Sequence, residues 1–214
     1  MKTIKIAIVT LPAFNELDSL IALSLLNRAE GVTAFLAGPE SEAVSMNGVP
    51  VRIDGAMDQI ASADAVIVGS GLRTRDFATD AAFLADLKLD PTRQLVASQC
   101  SGALILGKLG LLDGLPVCTD NITRPWIEEL GLTVAGEALS VSGNIATSGG
   151  CLASQYLATW LLLRLRGEAE TRRVLAYVVP VDEAGAYSDR LIERAKAADP
   201  GALAAPTTFA RAGE

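Results

Sequence analysis

The chain has 214 residues, half of them hydrophobic and one fifth charged, which suits a single domain with a core several layers deep. Its formal net charge is -7, and no cluster of Lys and Arg is available to neutralise a run of phosphates, which argues against a nucleic-acid partner. It contains no histidine, so Cys-His and Ser-His-Asp nucleophile activation and histidine metal ligation are excluded at once.

The start, MKTIKIAIVTLPAFNELD, holds an apolar run too short for a secretory signal, and Ile4 to Thr10 is expected to be a strand. Its continuous β-branched character predicts a central strand covered on both faces. Leu17, Leu20, Ile21 and Leu25 then recur at helical spacing, predicting a helix over 17–29. A strand over 32–37 follows, and AVSMNGVPVRID carries the Asn47-Gly48 signal of a hairpin. AVIV, Ala65 to Val68, predicts a buried parallel strand ending in the glycine turn Gly69-Ser70-Gly71. A helix over 79–87, a strand over 95–98 and a helix through Leu112 come next. Pro125 to Leu130 is expected to be helical, LTVAGEALSVSGNIATSGG to hold a second hairpin, and two helices to run up to about Tyr177. CLASQYLATWLLLRLRG within them includes Gln155 and falls short of a membrane span, so no membrane association is expected. The tail from Ala197, rich in Ala, Pro and Gly, predicts irregular structure. This order of elements predicts one α/β domain over 1–214, a flavodoxin-like three-layer sandwich with a mostly parallel sheet.

Three cysteines, Cys100, Cys118 and Cys151, are odd in number and form no CxxC pair. Neither a disulfide framework nor a thiolate zinc site is expected, and a reducing cytoplasm fits. In doubly wound sheets the reactive cleft lies beyond the carboxyl ends of the strands. Three loops are expected to meet there: LPAFNELD, GSGLRTRD and SQCSG. Cys100, flanked by small residues between strand and helix, has the sequence setting of a nucleophile elbow, and the helix N-terminus behind it would favour thiolate. The same residue also reads as a small buried hydrophobe. Cys118, expected on a strand, and Cys151, at the start of an apolar helix, read first as packing. Ser70 and Gly71 are turn residues or, functionally, backbone donors to developing negative charge. Asp18 and Glu16 decorate a helix N-terminus; facing Cys100, one of them would be desolvated beside sulfur and hold a proton.

LPAFNELD, DAVIVGSG and ASQCSGALILGKLGLLDG, together with the late ATSGG, resemble the DJ-1/PfpI superfamily over nearly all of the chain. The resemblance implies that Asp18, rather than Glu16, is the carboxyl set against Cys100, and that Gly71 matches the second glycine of the superfamily's PGG loop. Protease-like members carry a histidine directly after the cysteine; Ser101 stands there here. The isonitrile hydratase branch, with a first-loop aspartate, the elbow cysteine and a hydroxyl residue after it, is more similar, through Asp18, Cys100 and Ser101. A histidine-tryptophan pair frequent in that branch is replaced by CTDNITRPW.

The resemblance implies an enzyme that adds water to an isonitrile to give an N-substituted formamide. Cys100 would attack as thiolate, Asp18 would move protons, Ser101 would fix the acid or the water, and the N–H groups of Gly71 and Ser101 would line the pocket. No cofactor and no metal are expected, and the partners implied are a small-molecule substrate and a second copy of the chain as a homodimer. Phe14, Trp126 or Ile122 would favour an apolar substituent; the charged run Arg73 to Asp76 would favour a polar one. Two other readings stand beside it. One is an enzyme on reactive carbonyls working through a hemithioacetal at Cys100. The other is a non-catalytic redox sensor or ligand-binding protein.

Overall fold

The computed structural model describes residues 3–201. Its centre is a six-stranded sheet of β1 (Ile4–Val9), β2 (Val32–Ala37), β5 (Ala65–Val68), β6 (Leu95–Gln99), β7 (Leu139–Ser142) and β8 (Ile145–Ser148), in the spatial order β2-β1-β5-β6-β8-β7. All neighbours are parallel except β7 and β8, which form an antiparallel hairpin. The short hairpin β3 (Glu42–Val44) and β4 (Pro50–Arg52) stands apart, turned at Asn47-Gly48 with Gly48 at φ 87.

The unbroken apolar strands follow from two-sided burial. Ile6, Ile8, Ala65, Ile67, Leu95 and Ala97 belong to one core with α1 (Glu16–Leu26), α7 (Ser154–Val178) and α8 (Ala184–Ala198). Their neighbours Ala7, Val9, Val66, Val68 and Val96 belong to a second core with α2 (Met57–Ser62), α3 (Thr74–Phe77), α4 (Ala81–Asp86), α5 (Gly102–Lys108) and α6 (Arg124–Glu129). Alternate side chains point to opposite faces, so both sets must be apolar. The three-layer α/β sandwich expected from the sequence is the fold observed.

Several boundaries differ. The helix expected over 79–87 is α4, which begins two residues late because the Asp80 carboxylate caps it by accepting from the N–H groups of Ala82 (2.9 Å) and Phe83 (3.1 Å); the short α3 ahead of it was not expected. The helix expected through Leu112 ends at Lys108, where Gly110, at φ 71, takes the left-handed conformation that stops it. Cys118 lies on no strand; Val117 makes an isolated bridge to Val134, and the Cys118 N–H donates to Thr147 Oγ1 at 2.8 Å. The two helices expected up to Tyr177 are the halves of α7, broken at Gly167 (φ 79, ψ 174). Ala197 and Ala198, expected to be irregular, close the helix α8; the rest of the predicted tail from 202 onward lies outside the described residues. Among the described residues no helix is long and apolar enough to cross a membrane.

Candidate functional site

Because β1, β5, β6 and β8 are parallel, their carboxyl ends share one edge of the sheet, and β1 is the strand at which the chain switches from building toward β2 to building toward β5. Loops after these strands are joined there by backbone pairing. Phe14 and Gly71 form an antiparallel bridge, the Asn15 N–H donates to the Ser70 carbonyl at 2.8 Å, and the Leu72 N–H donates to the Ala13 carbonyl at 3.0 Å. Gly71 is required by that approach: a Cβ on it would stand 2.4 Å from the Ala13 carbonyl oxygen and 2.7 Å from Phe14 Cα. Asn15 starts α1 by accepting from the Leu17 N–H, which sets Asp18 in the first turn, facing inward.

At the end of β6, Cys100 has φ 47, a conformation that only a minority of non-glycine residues adopt and that surroundings must impose. Two bonds impose it here. The Cys100 N–H donates to the Ser148 carbonyl at 2.8 Å, and its own carbonyl accepts from Thr119 Oγ1 at 2.9 Å. Gly102 lets α5 turn back against β5, since a Cβ there would lie 2.2 Å from the Val68 carbonyl oxygen. The cysteine is thus lifted out of the sheet on a fixed elbow.

Three reactive groups converge above it. A carboxylate oxygen of Asp18, Cys100 Sγ and Cys151 Sγ all lie within 4.8 Å of one another. Asp18 is 1% exposed and Cys100 3%. The Ser70 hydroxyl donates to Asp18 Oδ2, Ser154 Oγ donates to the Asp18 carbonyl at 2.6 Å, and Asp18 Oδ1 is buried without a hydrogen-bond partner. The Gln99 amide donates to Cys100 Sγ at 3.6 Å and to the Gly150 carbonyl at 2.9 Å, while Asn15 Nδ2 donates to Cys151 Sγ at 3.1 Å. Two sulfurs and an oxygen are a donor set suited to a soft divalent cation. Glu16 is not part of this group; its carboxylate accepts from Asn47 Nδ2 at 2.6 Å.

The electrostatics order the protons. Burial pushes the Asp18 carboxyl up to about 6, against the hydrogen bond from Ser70 and the two neighbouring thiols, which lower it. Burial also pushes the Cys100 thiol up, and the negative charges of Asp18 and Asp120 add to that. The direction of the Asp18 shift agrees with the sequence expectation, but at about 6 the acid gives up the proton it was expected to hold at neutral pH. The thiolate expected from a helix N-terminus is not favoured: α5 has only seven residues, and desolvation beside two acids outweighs its dipole. At neutral pH the pair therefore carries one negative charge, held chiefly by Asp18, with a protonated thiol beside it.

The structure brings Asp18, Ser70 and Cys100 together as expected but gives the hydroxyls different tasks. Ser70 is the side chain that meets the acid. Ser101 Oγ instead donates to Thr74 Oγ1 at 3.0 Å and accepts a long bond, 3.4 Å, from the Gly71 N–H, while Thr74 Oγ1 donates to the Gly71 carbonyl at 2.9 Å. Ser101 and Thr74 thus brace the glycine loop. Cys151, read from sequence as packing, reaches the site because β8 lies parallel to β6, with Ser148 opposite Gln99. The strand order that makes them neighbours is not written in local sequence, and the one available signal was the ATSGG turn ahead of Cys151. Cys118 is fully buried, as the packing reading required.

Around the site, Leu72 (69% exposed), Ile122 (77%) and Leu152 (64%) stand in solvent close in sequence to Gly71, Asp120 and Cys151. Phe14, expected as a pocket wall, is entirely within the core, because its backbone pairs with Gly71 and turns the side chain under the loop. Trp126 lies beneath the Arg75 guanidinium, 4.9 Å from ring centre to Cζ, and Arg75 also pairs with Glu129 at 3.7 Å.

The sequence profile of the DJ-1/PfpI family matches residues 4–163. No curated protein matches the chain at a significant level. Among solved structures, a ThiJ/PfpI family protein from Pseudomonas syringae superposes with a TM-score of 0.75 at 20% identity, over 95% of this chain and 91% of that one. Toxoplasma gondii DJ-1 in an oxidized form gives 0.70 at 22% identity (82% and 98%), and Schizosaccharomyces pombe DJ-1 gives 0.72 at 16% identity (83% and 100%). At these identities the similarity speaks for the fold.

Proposed function

The chain belongs to the DJ-1/PfpI family, and from that premise we propose that it is a cysteine-dependent enzyme of the isonitrile hydratase type, adding water to R–N≡C to give R–NH–CHO. The observation that carries this reading is the buried Asp18 carboxylate beside Cys100 Sγ in a chain without histidine. A carboxyl raised to about 6 is matched to proton exchange near neutral pH, the role an imidazole otherwise fills. Leu72, Ile122 and Leu152, exposed and close in sequence to Gly71, Asp120 and Cys151, favour an apolar R group.

The proton order defines the first step. Asp18 takes the thiol proton as Cys100 Sγ attacks the terminal carbon, and returns it to that carbon, giving the thioimidate R–N=CH–S–Cys100. Water then adds to the same carbon, with Asp18 accepting its proton and passing it to nitrogen. Collapse of the adduct breaks the C–S bond, releases the formamide and restores the thiol. Ser70 holds Asp18 in place throughout, and the brace from Ser101 and Thr74 holds the Gly71 loop against it. No metal or organic cofactor enters these steps, and the proposed assembly is a homodimer, measurable by sedimentation.

Formamide production from a bulky apolar isonitrile, assayed in wild type and in Cys100→Ala, tests the reading. Turnover in wild type and none in the variant is the expected result; equal rates in both end the mechanism. Methylglyoxal run in parallel tests the carbonyl reading, and its consumption without any isonitrile turnover replaces the hydratase proposal with that one.

A further inference from the structure

Cys151 has no part in the hydration chemistry, yet its sulfur lies within 4.8 Å of both Cys100 Sγ and an Asp18 oxygen. We propose that Cys151 is the resolving partner of Cys100, so that a hydroperoxide reaching the site converts the two thiols into a Cys100–Cys151 disulfide. The proposal rests on the placement of the two sulfurs and is independent of what the site turns over.

The accessibilities suit a division of labour. Cys100 is nearly enclosed, Cys151 is partly exposed, and Cys118 is fully buried elsewhere, with its N–H bound to Thr147. A disulfide needs the sulfurs to close to about 2.05 Å, so one residue must move. Cys100 is pinned at both its N–H and its carbonyl. Cys151 instead opens a three-residue 3₁₀ turn directly after Gly150, a residue at φ 86 with nothing packed where a side chain would be. The movement therefore falls on a surface turn and leaves the elbow intact. Asn15 Nδ2, 3.1 Å from Cys151 Sγ, is placed to support the sulfur as it gives up its proton.

The chemistry balances with a hydroperoxide as the only co-reactant. Cys100 Sγ attacks the terminal peroxide oxygen, the S–O bond forms as the O–O bond breaks, and the thiol proton leaves with the alkoxide as ROH. Asp18, whose Oδ1 has no other partner, is positioned to carry that proton. Cys151 Sγ then attacks the sulfenic sulfur; the S–S bond forms, the S–O bond breaks, and hydroxide leaves with the Cys151 proton as water. Two electrons pass from the thiols to the peroxide. Without Cys151 nearby, the sulfenic acid is free to take up a second oxygen and become sulfinic acid, which thiols do not reverse.

The test treats the full chain with hydrogen peroxide, blocks remaining thiols with an alkylating agent under denaturing acid quench, and reads intact mass and a non-reducing peptide map. The expected result is loss of two hydrogens, a cross-linked peptide containing Cys100 and Cys151, one alkylated thiol at Cys118, and full reversal by dithiothreitol. In Cys151→Ser the expected result is Cys100 carrying two added oxygens and no cross-link. Wild-type protein that accumulates those oxygens on Cys100 while Cys151 stays alkylatable overturns the proposal, as does a cross-link to Cys118 or no oxidation of Cys100 at all. The readout is a mass, so absence of isonitrile turnover leaves it standing.

Discussion

The Ser70 hydroxyl donates a hydrogen bond to Asp18 Oδ2 across 52 residues of chain, with both side chains buried. This bond stabilises the carboxylate and opposes the desolvation that raises Asp18 to about 6. Removing it in Ser70→Ala should raise the acid further, by about one pH unit for a lost bond of about 1.4 kcal/mol. The acid limb of the pH–rate profile should move up accordingly, and Ser70→Thr, which keeps the hydroxyl, should restore it.

Asp18 itself opposes stability at neutral pH. Its folded pKa, about 6, lies above the usual 3.8, so the native chain binds the proton more tightly than the unfolded chain does. Stability therefore falls as pH rises through the window from about 4 to about 6 and is level above it. Asp18→Asn should abolish turnover yet stabilise the fold at pH 7 by up to about 3 kcal/mol, with the gain vanishing below about pH 4. Denaturant midpoints measured at both pH values check this.

Gly71→Ala places a methyl group 2.4 Å from the Ala13 carbonyl oxygen, where only backbone can yield. The Phe14–Gly71 bridge and the Leu72–Ala13 bond should open, shifting the loop that carries Ser70. A displacement of that size at a site of proton transfer should lower kcat by about 10²-fold. Circular dichroism should remain that of the wild type, because the strands lie below the loop.

Helix α8 is tied down by charge. Asp199, at the end of α8, accepts from Arg164 Nη1 at 2.9 Å and from Trp160 Nε1 at 2.8 Å, all three being buried; Arg164 also donates to Gly143 O (3.0 Å) and Asn144 Oδ1 (2.7 Å) in the turn between β7 and β8. Asp199→Ala leaves the guanidinium without this buried carboxylate and should cost about 3–5 kcal/mol. Urea unfolding curves give the value. A loss under about 1 kcal/mol would mean that the cluster is dispensable.

Sequence and structure agree where one physical requirement dominates a segment. The range Ala65–Val68 coincides with the observed strand because a strand buried on both faces must be continuously apolar; Val32–Ala37 coincides too, though as an edge strand it tolerates the exposed Thr33. They diverge where a single side chain decides, as at the Asp80 cap, or where a helix keeps only a stripe in the core. Helix α8 was not foreseen: it buries Leu191, Ile192 and Ala195 against α7 and leaves most of its other side chains polar, a pattern easily read as tail.

By itself the sequence determined the absence of imidazole chemistry and the apolar strands of an α/β sheet, and offered Cys100 as an elbow beside its reading as a buried hydrophobe, because composition, strand character and small residues at a turn are local properties. Only the tertiary structure decided that Ser70 rather than Ser101 holds the acid, that Cys151 joins the site, and that the thiol keeps its proton while Asp18 gives up its own. Those depend on strand order and on burial, which bring distant residues within a few ångströms and remove the water that would otherwise stabilise their charges.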